Sequence, residues 1–168
     1  MCKILELLFR PKPGLPHPEE KVDYKQTLDN VAVAQVLGEW MLAWGVPEEY
    51  NDYWREAIVI TVTLEIWVPA QTWEEGGKRH LAVRPEWLNP GVIAHEQAHN
   101  SYSLLTNDEK SEFEGIYIPM VVTEPLIKLL YSKNAYGLTS TIEGHAELYR
   151  FLGSELPESL KRYYPKLF

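Results

Sequence analysis

His95-Glu96-Gln97-Ala98-His99 sets two imidazoles four residues apart with a carboxylate beside the first. On an α-helix, residues i and i+4 lie one turn apart on the same face, so both rings can reach one metal ion. Glu96 sits about 100° further round, near enough to hold a water without being a ligand. The chemistry open to such a trio is hydrolysis by metal-activated water, with the carboxylate accepting the proton. A catalytic zinc takes three protein ligands and keeps a fourth position for water, so one ligand must come from elsewhere in the chain.

The residues exclude two arrangements. The metzincin pattern HExxHxxGxxH needs Gly at 102 and His at 105, where Tyr102 and Leu105 stand. A peptide deformylase needs a ligand cysteine behind a Gly-rich segment, and the single cysteine, Cys2, has neither the position nor the company. The downstream stretch 141–149, TIEGHAELY, offers Glu143, His145 and Glu147. On a helix Glu143, Ala146, Glu147 and Arg150 share a face, whereas His145 points roughly opposite Glu143, so the two do not readily serve one ion. The residues alone leave all three open. Gly144 and Ala146 are small, as expected where one helix lies tightly on another.

HEQAH followed downstream by a helical Glu-Gly-x-Ala resembles the gluzincin branch of the zincin metallopeptidases. The resemblance covers residues 81–152 and lacks the Asn-Glu-x-x-Ser-Asp form of the second segment seen in thermolysin-like enzymes. It implies a zincin-like α+β fold, mostly helical, with a small β-sheet packed beside the active-site helix. It also implies one zinc ion held by His95, His99 and Glu143, with Glu147 and Arg150 behind the ligands. Glu96 would be the general base in hydrolysis of a peptide or protein substrate. Two alternatives are a metallohydrolase acting on a non-peptide amide or ester, and a catalytically idle zincin-like binding domain. Tyr102, Tyr136, Tyr149, His80 and His145 are candidates for stabilising the oxyanion.

The elements that must position these groups are readable from periodicity. Val33, Val36, Leu37, Trp40, Met41 and Trp44 recur at helical spacing and predict an amphipathic helix over 24–44, stopped by Gly45 and Pro47. A helical turn is expected over 47–55. Residues 57–68 alternate, with Ile60, Val62, Leu64, Ile66 and Val68 on one face, and predict a strand. Residues 69–77 read as a connection and 78–83 as a second, weaker strand ending before Pro85. The edge of either strand is a candidate to pair with an extended peptide. The motif helix spans 89–105, with Asn89 as N-cap and Pro90 at the first position. Further helices are expected over 110–120, 123–131 and 139–152, with a polar loop over 132–138 and a short helix between Pro157 and Pro165.

The 168 residues are expected to form one domain, with 1–22 as a Pro-rich extension over the surface. A net charge of −8 argues against nucleic acid, because phosphate contacts need clustered Lys and Arg. Cys2 alone permits no intramolecular disulfide and no multi-thiolate zinc site. The N-terminal MCKILELLF is interrupted by Glu6 and followed by prolines, a poor signal peptide, and no apolar run is long enough to span a bilayer. The expected setting is cytoplasmic. His17 and His80 read as solvated, Cys2 as an ordinary thiol, and the oligomeric state is not encoded in any pattern.

Overall fold

The computed structural model describes residues 30–56 and 58–168, so the Pro-rich extension, Cys2, His17 and the start of the first expected helix lie outside the described residues. In chain order these form helix α1 (Asn30–Trp44), a 3-10 turn (Glu48–Tyr50), α2 (Asn51–Glu56) and strands β1 (Ile58–Val62), β2 (Ala70–Glu75) and β3 (Lys78–Val83). A second 3-10 turn (Pro85–Trp87) leads into α3 (Pro90–Ser103), α4 (Asn107–Thr123) and α5 (Pro125–Lys133). A third (Ala135–Leu138) precedes α6 (Thr141–Leu152), and a fourth (Gly153–Glu155) precedes α7 (Glu158–Lys161). The described residues are mostly helical with one three-stranded sheet, an α+β arrangement.

The sheet order is β1-β3-β2, with β1 parallel and β2 antiparallel to the central β3. Gly76 and Gly77 join β2 to β3 with φ of +60° and +74°, the left-handed backbone that a two-residue hairpin turn requires. Two sequence expectations fail here. The strand expected over 57–68 stops at Val62, where its partner also ends: Val62 pairs with Val83, and Pro85 follows. A strand persists only while a neighbour can supply a ladder, whatever its own alternation. The residues beyond are uncovered, with Leu64 38% and Trp67 100% exposed. The segment expected as a connection holds β2 instead. As an edge strand β2 needs little burial, and only Ala70 and Thr72 are partly buried, so AQTWEE carries almost no apolar period.

The helical punctuation follows the residues closely. Asn89 Oδ1 accepts the Val92 N–H at 3.1 Å, with Pro90 in the first turn. Thr106 and Glu109 close a capping box that starts α4 three residues earlier than expected, and α4 continues past Pro119 to Thr123. The expected loop 132–138 is taken up by the end of α5 and a 3-10 turn. Leu37, Trp40, Met41 and Trp44 of α1 are buried as their spacing predicts. Trp44 fastens α1 to the other end of the chain, its indole donating to the Tyr149 carbonyl at 3.0 Å. At the centre α3 is buried almost all round, packing against α6, α1 and β2. Its small residues, Gly91, Ala94 and Ala98, let those neighbours approach.

Candidate metal centre

The cap on α3 fixes the helical phase of His95 and His99, and their rings meet edge to face with centroids 4.6 Å apart. The third group arrives from the first turn of α6. Ser140 Oγ caps that helix by accepting the Glu143 N–H at 3.2 Å. A carboxylate in a first helical turn is favoured by the unpaired N–H groups there.

The three donor atoms form a small triangle. His95 Nε2 lies 3.0 Å from His99 Nε2 and 3.2 Å from Glu143 Oε2, and His99 Nε2 lies 3.5 Å from Glu143 Oε2. Donors about 2.0–2.1 Å from a zinc ion at tetrahedral angles stand about 3.3–3.4 Å from one another. The triangle therefore fits one tetrahedral cation, and His, His and Glu are the donor types such an ion takes.

Behind the triangle is a second polar layer. His95 Nδ1 lies 2.7 Å from Glu147 Oε1, whose side chain is only 1% exposed. Arg150 reaches the same oxygen at 3.1 Å, and Asn134 donates to the other. A histidine that offers Nε2 to a metal carries its proton on Nδ1, and Glu147 is positioned to accept that hydrogen bond. Burial alone pulls the His95 pKa down, but the adjacent Glu143 and Glu147 carboxylates more than reverse this and push it up to about 9. The two histidines hold the Glu143 carboxyl well below the usual carboxylate range. Burial raises the Glu96 pKa, partly offset by His95, His99 and a hydrogen bond with Thr72 of β2.

The triangle opens into a cleft of about 360 Å³ whose walls are Ala70, Gln71 and Thr72 of β2, Glu96 of α3, and Tyr136 and Glu143. A neighbouring lobe of about 520 Å³ also reaches His95 and Glu96 and is lined by Val68, Trp87, Val92, Asn134, Tyr136 and Arg150.

The remaining candidates separate clearly. Glu147 meets the far nitrogen of His95 rather than the triangle. His145 is fully buried in the core, its Nε2 2.7 Å from the Tyr163 carbonyl and its ring stacked on Tyr164 at 3.8 Å. Burial pushes its pKa down to about 3, so it is a neutral core group and not a ligand. Tyr102, a candidate for stabilising the oxyanion, packs its ring on Phe113 and His145. Tyr149 is buried, and His80 stacks on Trp73. Of the five oxyanion candidates, Tyr136 lines the cleft. The strand edge beside the site also differs from expectation. β3 is central and has no free edge, and it is β2 whose outer edge borders the cleft, unpaired by any strand among the described residues. Thr72 and Asn134 were not singled out from the sequence, because the segments that hold them carry no periodic signal.

Comparison of the chain with protein-family models, curated proteins and solved structures gives no match in any of the three.

Proposed function

We propose that the chain is a zinc-dependent metallopeptidase of the gluzincin type with a zincin-like fold, acting on a peptide or protein substrate. The observation that carries this reading is the convergence of His95 Nε2, His99 Nε2 and Glu143 Oε2 within 4.8 Å of one another, with Glu96 alongside in an open cleft. Zinc bound by these donors would act as a Lewis acid toward a carbonyl and lower the pKa of a water to about 7. Glu96, buried and raised in pKa, takes the proton from the attacking water and later delivers it to the leaving amine nitrogen. Glu147, anchored by Arg150 and Asn134, keeps the His95 ring turned so that Nε2 faces the cleft. The Tyr136 phenol, on the cleft wall, is the donor for the oxygen that gains charge as the carbonyl is attacked. An extended peptide adds as a further strand on the free edge of β2, its main chain held beside Glu96.

The test uses metal-stripped protein reloaded with zinc and offered an unstructured polypeptide. Reloaded wild-type protein should cleave it, and Glu96→Gln should hold zinc equally well without cleaving. Equal cleavage by Glu96→Gln would remove Glu96 as the base. Turnover of a simple amide or ester with no peptide cleavage would move the substrate class.

A further inference from the structure

Against the backbone that follows Glu143 and Tyr136 lies a pair of buried tyrosines that the proposed reaction does not use. Tyr117 of α4 and Tyr131 of α5 are almost wholly buried, and their hydroxyl oxygens are 2.9 Å apart. Tyr117 Oη is also 3.0 Å from the Gly137 carbonyl, and Tyr131 Oη is 3.3 Å from the Gly144 carbonyl. Two hydroxyl protons thus serve three oxygen contacts. The two carbonyls are informative, because Gly137 follows Tyr136 and Gly144 follows Glu143. The pair therefore grips the backbone one residue beyond each of two groups on the cleft wall.

Both grips depend on the absence of a side chain. A Cβ on Gly144 would stand 2.2 Å from Tyr117 Oη, and one on Gly137 would stand 2.5 Å from Tyr131 Cε1. Each clash is with a rigid ring that is itself buried, so the ring would have to move. Asn134 completes the arrangement at the start of the same turn: its Oδ1 accepts the Tyr136 N–H at 3.1 Å while its amide holds Glu147.

We propose that the Tyr117–Tyr131 hydroxyl pair is a positioning device for the metal centre, locking the turn that carries Tyr136 against the helix that carries Glu143. Neither tyrosine touches the cleft, so each acts through the residue that follows its target. The proposal rests on the reading of His95, His99 and Glu143 as metal ligands, and it goes beyond that reading by assigning their geometry to two residues on other helices. Loss of either hydroxyl should let Glu143 and Tyr136 drift relative to α3 while the fold persists.

The experiment is a cobalt(II) titration of the 168-residue chain, read by visible absorption, for the wild type, Tyr117→Phe, Tyr131→Phe and Tyr164→Phe. Tyr164 is the control, because its hydroxyl also bonds a buried α6 carbonyl, that of His145, at 2.9 Å. The wild type and Tyr164→Phe should bind equally tightly with the same tetrahedral spectrum. Tyr117→Phe and Tyr131→Phe should bind about tenfold more weakly, with a shifted spectrum. Wild-type affinity and spectrum in both of those variants would overturn the positioning role while leaving the metal site standing. Equal weakening in Tyr164→Phe would also overturn it, reducing the pair to ordinary core hydrogen bonds. Failure of the wild type to bind cobalt would overturn the metal-site reading and this proposal with it.

Discussion

At the scale of single residues, the proposed function divides the site into groups that would hold the ion and one that would react. Glu96 makes no contact that the triangle needs, so Glu96→Gln should leave metal affinity intact and lower kcat by about 10²–10⁴-fold, the usual contribution of a general base. Steady-state kinetics beside metal content checks this, and a loss of metal in the variant would make Glu96 a ligand instead. His95 supplies a second prediction. In the metal-free site the neighbouring Glu143 and Glu147 carboxylates outweigh burial and raise its pKa to about 9, so it is protonated at pH 7. Metal binding must expel that proton, so apparent affinity should rise by about tenfold per pH unit until pH reaches about 9. Calorimetry in buffers of different ionisation enthalpy should count the proton released, and pH-independent affinity from pH 7 to 9 would contradict the assignment.

At the scale of elements, the site depends on α3 and α6 lying close enough for a first-turn carboxylate to reach two imidazoles. Ala146 shares a helical face with Glu143 and Glu147, both of which reach His95, and it is fully buried. Ala146→Leu should overpack this contact, cost about 1–3 kcal/mol in chemical denaturation, and weaken metal binding as the helices part. Unchanged stability with unchanged metal affinity would show that the contact has room to spare. The helices were largely legible in the sequence because capping residues and apolar spacing act locally: Gly45, Asn89 and Pro90 mark ends that the fold respects. The sheet was not. β1 ends where its partner β3 ends, and β2 needs only one partly buried face, and both facts depend on neighbours distant in sequence. At the site, the pair on α3 was legible from spacing alone. The choice among Glu143, His145 and Glu147 turned on which side of α6 faces α3, which no local pattern states. Tyr102 shares a helical face with His95, yet Phe113 of α4 and His145 take its ring, leaving it a half-buried aromatic.

At the scale of the whole molecule, the histidine that sequence reading left open as a ligand proves to be a core residue with a consequence for acid stability. His145 titrates near 6.5 when unfolded and is pushed down to about 3 by burial in the fold. Between those values the unfolded chain binds one more proton than the folded one, so stability must fall as pH drops through that window. The slope from this group is up to about 1.4 kcal/mol per pH unit. Denaturation from pH 6.5 to 4 should show His145→Gln losing less stability on acidification than the wild type, and parallel profiles would remove His145 as the cause. None of the helices among the described residues is long and apolar enough to cross a membrane. What the molecule presents around the triangle is a cleft walled by β2, α3 and α6 and floored by groups suited to a divalent cation. His95, His99 and Glu143 are proposed to hold one such ion. This assignment is tested most directly by the metal content of protein purified without added zinc, for the wild type, Glu143→Ala and Glu147→Ala. One zinc per chain is expected in the wild type, essentially none in Glu143→Ala and partial occupancy in Glu147→Ala. A wild-type protein without metal, or a Glu143→Ala variant as fully loaded as the wild type, would contradict that assignment.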